Sequence, residues 1–228
     1  MKLKFPQLEC TVTIDQTSAS TLQIEDRQTF ARVVASLESE AGEEAEEPYI
    51  LLDDKDREKS PRKALLFIDA LPNVPLSDRV MLTKLNKRMG QELEMDSERY
   101  ARVRELTSRL RGEIESVADG LWGDYSVSSD WDFDAYLKVF GFAPLLGECD
   151  GLLDKCIRFI DLCSDIEEQR PLAFVNAKSF FSQKELEELF ERAVFSGIRT
   201  LFIESWHDDK SYEHEAKVVI DQQFYVSC

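Results

Sequence analysis

About ninety residues in the middle of this chain, from Ser77 to about Ile166, carry helical spacing with few strand signals, while both flanks read as short strands. That arrangement limits the choice of fold. On the N-terminal side, Lys2 to Phe5, Glu9 to Ile14, Thr21 to Glu25, Pro48 to Asp53 and Ala64 to Asp69 are predicted strands, with a helix from Arg27 to about Leu37. On the C-terminal side, Pro171 to Val175 and Arg199 to Ile203 bracket a helix that opens with the capping box Ser182-Gln-Lys-Glu185 and runs to Phe195. Strand, helix, strand at this spacing predicts a parallel crossover. The reading is an α/β head domain built from residues 1–76 and 167–228, interrupted by an α-helical subdomain over 77–166. Four helices are expected in the insertion: Ser77 to about Glu94, Asp96 to about Val117, Ser129 to Phe140, and Gly151 to about Ile166.

The 228 residues carry 45 Asp and Glu against 28 Lys and Arg, a formal charge of −17 that weighs against a nucleic-acid partner unless the charges are segregated. No apolar run reaches the ~18 residues of a membrane span, and Met1 to Phe5 does not build a signal peptide, so a cytoplasmic location is expected. The five cysteines, at 10, 149, 156, 163 and 228, contain no Cys-x-x-Cys. Cys149, Cys156 and Cys163 recur every seven residues, which predicts small buried side chains on one helix face. His207 and His214 match no zinc spacing.

Several constellations bear on chemistry. Gly-x4-Gly-Lys-Ser/Thr occurs nowhere, and Asp26-Arg-Gln-Thr-Phe30 after the third strand contains no glycine, so the backbone cradle of a Walker motif is absent. Asp53-Asp54-Lys55 at a strand end has the Asp-x-Lys pattern of a divalent-metal nuclease, with Asp53 as metal ligand and Lys55 helping to activate water; Asp208-Asp209-Lys210 repeats it. From Gly112 to Asp134 there are seven acids and no Lys or Arg. Asp119, Asp124, Asp130, Asp132 and Asp134 are candidate Ca²⁺ ligands, although Tyr136 and Gly141 exclude an EF-hand. The same segment also reads as Ser129 capping a helix whose first turn holds the aspartates.

Two stretches are locally basic. Lys55, Arg57, Lys59, Arg62 and Lys63 stand against Asp56 and Glu58 in one loop. From Arg79 to Arg111, nine basic residues outnumber five acids; Lys84, Lys87 and Arg88 share a helix face, and Arg102 and Arg109 lie two turns apart. Tyr100 is the one aromatic residue among them, too few for a series of base-stacking platforms, so duplex phosphate contact is favoured over single-strand stacking. The tract Glu38 to Glu47, with six Glu and no basic residue, reads as a solvated loop.

Met1-Lys-Leu-Lys-Phe5, Thr21-Leu-Gln-Ile-Glu-Asp26 with Thr29-Phe30-Ala31, Phe67-Ile-Asp-Ala-Leu71, Tyr136-Leu-Lys-Val-Phe-Gly141, Leu172-Ala-Phe-Val-Asn176, Ser182 to Glu185 and Leu201-Phe-Ile-Glu204 follow one another along the chain. In that order and spacing the chain resembles the type II-A CRISPR-associated Csn-two family. It implies an α/β head similar to a P-loop ATPase core without its nucleotide site, joined to a helical leg, in a ring-shaped homotetramer. It also implies Ca²⁺ shaping the leg, no catalytic activity, and binding to double-stranded DNA ends during spacer acquisition. The implied partners are the CRISPR integrase proteins and the RNA-guided nuclease of the same bacterial system. On this resemblance the family's basic loop falls on Lys55, Lys59 and Lys63, and its Ca²⁺ segment on Asp119 to Asp134. A DNA-independent protein-interaction module and a metal-dependent nuclease are the alternatives.

Overall fold

The computed structural model describes residues 1–68, 70–145, 147, 151–206 and 208–227. The chain divides into two compact units, Met1–Leu76 with Leu145–Cys228, and Ser77–Pro144.

The first unit holds two sheets. A small antiparallel sheet runs in the order β2 (Cys10–Thr13), β1 (Lys2–Phe5), β4 (Ile50–Leu52), β5 (Glu58–Lys59). The larger sheet has the order β10 (Val226–Ser227), β9 (Glu215–Ile220), β3 (Ala19–Ile24), β8 (Thr200–Glu204), β7 (Leu172–Val175), β6 (Leu66–Ile68). Its strands are parallel except for the edge strand β10. All six residues of β3 and all five of β8 are buried, the polar Ser20, Thr21, Gln23, Thr200 and Glu204 included, because both sheet faces are covered.

Alternation assigns the faces. Leu22, Ile24, Leu201, Ile203, Val218 and Ile220 join Leu3, Phe5, Val12, Ile14, Tyr49 and Leu51 in one core. Helix α1 (Arg27–Glu38) brings Val33 and Leu37 to it and is capped by Asp26, whose carboxylate accepts from Thr29 N at 2.8 Å. On the opposite face Phe202 stacks on Phe174 at 5.0 Å and meets Phe190 edge-on at 4.9 Å, bringing in α6 (Gln183–Phe195). The predicted capping box is present: Ser182 N donates to Glu185 Oε2 at 2.7 Å, and Glu185 N to Ser182 Oγ at 3.4 Å.

Three expectations change. The helical unit ends at Pro144, not at 166. Helix α5 (Leu152–Asp165) has a buried stripe of Cys156, Phe159, Ile160 and Cys163 and packs on α6, where Ser164 Oγ donates to Ser196 O at 3.2 Å and Arg192 Nε to Asp161 at 2.6 Å. Helical periodicity does not reveal which core a stripe joins. Burial pushes the Cys156 thiol up to about 12, as expected of an inert packing cysteine. Asp69, Cys149, His207 and Cys228 lie outside the described residues. The acidic tract is also not fully solvated: Glu47 is buried, its N–H donates to Ser36 Oγ at 2.8 Å, and its carboxylate lies 3.4 Å from Arg32. Burial raises its pKa. Finally, β9 was not predicted, because its first half, Glu-Ala-Lys, breaks the apolar pattern.

The second unit contains α2 (Arg79–Met95), α3 (Ser97–Ala118) and α4 (Phe133–Val139). Asp96 alone separates the first two; with φ −105° and ψ 90° it ends α2 and caps α3 through Arg99 N at 2.9 Å. No helix among the described residues is long and apolar enough to cross a membrane.

Because Phe202 is fully buried between two rings, Phe202→Ala is expected to cost about 3–5 kcal/mol, whereas Ser182→Ala should cost about 1 kcal/mol. Denaturant unfolding checks both, and a loss below that of the cap variant would show that Phe202 is not central to its core.

Candidate nucleic-acid interface

The β4–β5 hairpin presents the basic loop. Asp53 ends β4 and accepts through Oδ1 from the N–H groups of Lys55 at 2.8 Å and Arg57 at 2.9 Å, which fixes the turn. Its Oδ2 takes Arg57 Nε at 2.9 Å and Nη2 at 2.7 Å. The Arg57 guanidinium and the turn N–H groups hold the Asp53 carboxyl down at about 2. The neighbouring acids are paired as well. Asp54 meets the Met1 amino group at 2.6 Å and Arg199 at 2.8 Å, and Asp56 meets Lys2 at 2.6 Å. These contacts keep both carboxyls below the ordinary carboxylate range.

This changes the local field. Three aspartates are neutralised by cations from outside the loop or by Arg57, while Lys55, Lys59, Arg62 and Lys63 are exposed and make no ion pair among the described residues. Arg57 is committed to Asp53 and contributes less than the sequence implied. The same geometry engages both Asp53 oxygens, Oδ1 with the turn and Oδ2 with the Arg57 guanidinium, and among the described residues no group of three His, Cys, Asp or Glu forms there to hold a metal.

In the second unit the basic residues separate into paired and open groups. Arg88 lies 2.7 Å from Glu92, and Arg109 2.5 Å from Glu105. Arg104 rests over the rings of Tyr100 at 5.8 Å and Trp131 at 5.6 Å. Lys87 and Arg102 are exposed, with no ion pair among the described residues, and Lys84 is half-buried. The five basic residues predicted on the hairpin and the five predicted on the helices thus belong to different units, and within each only part of the set is available.

The five predicted calcium ligands are not brought together. Asp119 ends α3, and Asp124 and Asp130 lie in the irregular segment that follows. Asp132, not Ser129, caps α4, its Oδ1 accepting from Ala135 N at 3.0 Å. Asp134 pairs with Lys138, and that contact together with Asn86 lowers its pKa. Among the described residues, no three His, Cys, Asp or Glu side chains form a group that could hold a metal ion. Sequence reasoning missed what the segment does instead. In Asp130-Trp-Asp132-Phe-Asp134, Trp131 meets Tyr100 at 5.9 Å, Phe133 at 6.1 Å and Tyr136 at 5.7 Å, forming the aromatic contact of this unit. The signal was the strict alternation of acids with aromatics.

Open α/β sheets take ligands at the carboxyl ends of their strands. Here that position, beside Gln23 and Glu204, is filled by the chain itself. Lys178 N donates to Glu204 Oε1 at 3.1 Å, and Lys178 Nζ lies 3.2 Å from Asp208 and 2.6 Å from Glu215. Lys217 Nζ approaches Asp208 at 2.7 Å. The second Asp-x-Lys element is therefore structural: Asp208 is buried in an ion network, and Lys210 contributes only main-chain groups to it.

The family described as CRISPR-associated protein (Cas_Csn2) matches residues 42–224, most of the chain. The chain belongs to this family. Among solved structures, "Crystal structure of Stu0660 of Streptococcus thermophilus" is similar with a TM-score of 0.53 and 13% identity, covering 95% of this chain and 74% of that one. At that identity the likeness concerns the fold alone. No curated protein matches. Members of Cas_Csn2 are non-catalytic, in keeping with the structural use of both Asp-x-Lys elements.

If Arg57 is what holds Asp53, the Asp53 carboxyl carbon should titrate near 2 in the wild type and move toward 3.8 in Arg57→Ala, as followed by NMR. The stability Asp53 contributes is present above its ordinary pKa and lost as pH falls through the depressed one. An unchanged midpoint in the variant would assign the effect to the turn N–H groups instead.

Proposed function

We propose that this Cas_Csn2 member acts in spacer acquisition by binding double-stranded DNA without reading bases, entering from free ends as a ring-shaped homotetramer. The observation that carries this reading is the hairpin: its acids are internally neutralised while Lys55, Lys59, Arg62 and Lys63 remain exposed. A compact row of unpaired cations on an acidic protein offers phosphates a local potential opposite to the net charge. Lys87 and Arg102 extend the basic character to the helical unit, with Lys84, Arg88 and Arg109 beside them. In this reading the first unit is the head, related to a P-loop ATPase core that has lost its nucleotide site, and the second is the leg. The partners are the integrase proteins and the RNA-guided nuclease of the same bacterial cytoplasm.

Self-association is supported by α3, which buries no residue and leaves Leu106, Leu110, Ile114 and Val117 exposed along one side, the type of face that a subunit contact covers. Calcium belongs to the proposal as a leg-stabilising ion on segment 119–134. As arranged, the aspartates do not form a site, so the ion would have to gather them from their present partners.

With about eight phosphates neutralised per ring, affinity should fall roughly four decades between 50 and 200 mM salt. Titrations of a linear duplex and its covalently closed counterpart at several salt concentrations test this, and equal binding to both would remove the ring. Lys59→Ala with Lys63→Ala should flatten the salt slope; loss of affinity with an unchanged slope would place the phosphates elsewhere. Absence of any salt-dependent binding would favour the DNA-independent interaction module. Calcium should raise the thermal midpoint, with the gain abolished by Asp130→Asn plus Asp132→Asn, since Asn at 132 retains the helix cap. A midpoint indifferent to chelation would exclude the ion.

A further inference from the structure

The ion network that runs over the sheet face from Glu204, at the carboxyl end of β8, to Glu215, at the start of β9 opposite Ala19, is unbalanced. Among the described residues, three carboxylates, Glu204, Asp208 and Glu215, face two ammonium groups, Lys178 and Lys217. Glu204 is fully buried, Lys178 is 3% exposed and Asp208 6% exposed, so water does not screen the excess negative charge.

The lysines serve two of the three acids. Lys178 Nζ lies against Asp208 and Glu215, and Lys217 Nζ against the same pair at 2.7 and 3.7 Å. Burial works against the Asp208 carboxylate, yet the two ammonium groups hold it below the ordinary range. Glu204 is served by backbone N–H groups, that of Lys178 on Oε1 and that of Ala177, and by no ion pair among the described residues. Its Oε2 is buried without a hydrogen-bond partner, as are Nε2 of the adjacent Gln23 and the hydroxyls of Thr21 and Thr200 on the same sheet face; the Glu215 oxygens also lack a hydrogen bond, but each lies within ion-pair distance of a lysine. A buried carboxylate with an orphaned oxygen beside a surplus of negative charge is the group that a neutral acid replaces at least cost.

We propose that a proton on Glu204 is a latch, keeping the connection Asp208–His214 seated over this face of the sheet. The connection depends on the network: Asp208 N donates to Gln23 Oε1 at 3.4 Å, and Lys217 Nζ to the carbonyls of Asp208 at 3.0 Å and Lys210 at 2.5 Å. Tyr212 covers the lysines, its ring 4.6 Å from Lys178 Nζ and 5.7 Å from Lys217 Nζ, and packs edge-on against Phe190 at 5.9 Å. Ionising Glu204 adds a charge that both lysines must share with two other acids, which weakens the contacts anchoring Asp208. Burial, together with Asp208, Glu215, Glu187 and Glu204, pushes the Tyr212 phenol up to about 12, so it does not titrate with the latch. The device is independent of DNA binding.

The sign follows from linkage. Burial raises the Glu204 pKa from 4.5 to about 7, partly offset by the Lys178 N–H. The seated form then binds a proton that the open form has lost between those values. The ratio of seated to open should fall about tenfold per pH unit across that window and level off above it. Hydrogen–deuterium exchange of the 208–214 segment from pH 5 to 8, corrected for intrinsic exchange, should show this in the wild type and a flat profile in Glu204→Gln. The same pH slope in both would overturn the proposal. Should Glu204→Gln fail to fold, isotope-edited infrared spectra of the wild type decide the matter. A protonated glutamic-acid carbonyl band present at pH 6 and gone by pH 8 supports the latch, and absence of that band at pH 6 refutes it.

Discussion

The fold depends on β3 being completed from the far end of the chain. Residues 19–24 lie between β8 and β9, both drawn from the last thirty residues, and every side chain of β3 is buried. Its N–H and C=O groups would be orphaned in an apolar interior if either neighbour were missing. The first unit therefore closes only when both ends of the sequence meet, a high-contact-order arrangement that delays the reward for ordering the intervening chain. The helical unit interrupts this assembly at a tolerant place. It leaves after β6 and the chain returns to β7, which pairs parallel beside β6, so the insertion changes the length of a crossover without altering the order of strands.

Charge is organised by the same principle of local completion. A total of −17 describes how the whole molecule behaves at a distance, whereas a phosphate at contact range responds to charges within about a Debye length. On the hairpin, the acids that would cancel the lysines are already satisfied by the Met1 amino group, Lys2, Arg57 and Arg199. Two of those partners stand at the start of β1, which pairs with β4, and Arg199 immediately precedes β8. The positive character of the loop is thus a product of tertiary structure, and a count over residues 55–63 gives its sign but not its cause.

Elements with strong periodicity or capping chemistry were legible in the sequence. Asp26, Ser182 with Glu185, the alternation of β3 and the apolar runs of β7 and β8 carry their structural instructions within a few residues. What stayed hidden was partnership. The stripe on α5 looks the same whether it faces α4 or α6, β9 hides behind Glu215 and Lys217, and nothing in the first strands announces that β1, β2 and β4 form a sheet of their own. The candidate site shows the same division. The basic loop could be found from residue types, but the withdrawal of Arg57 and Arg109 into ion pairs could not.

The two acidic motifs that invited a chemical reading fail as sites for one physical reason. In Asp130 to Asp134 and in Asp208 to Lys210, each carboxylate nearest to a catalytic or metal-binding pattern is already spent on a backbone N–H or a lysine. A metal ion competes for those oxygens only if its binding free energy exceeds the cost of orphaning the donors, and that cost is greatest where water is excluded. Asp132 and its helix-cap contact are exposed, and Asp134 serves both the exposed Lys138 and the buried Asn86, whereas Asp208 sits under Tyr212 between two lysines. Burial therefore separates them more sharply than composition does: the first meets most of its partners at the surface, and the second is a closed internal network whose remaining freedom is the proton on Glu204.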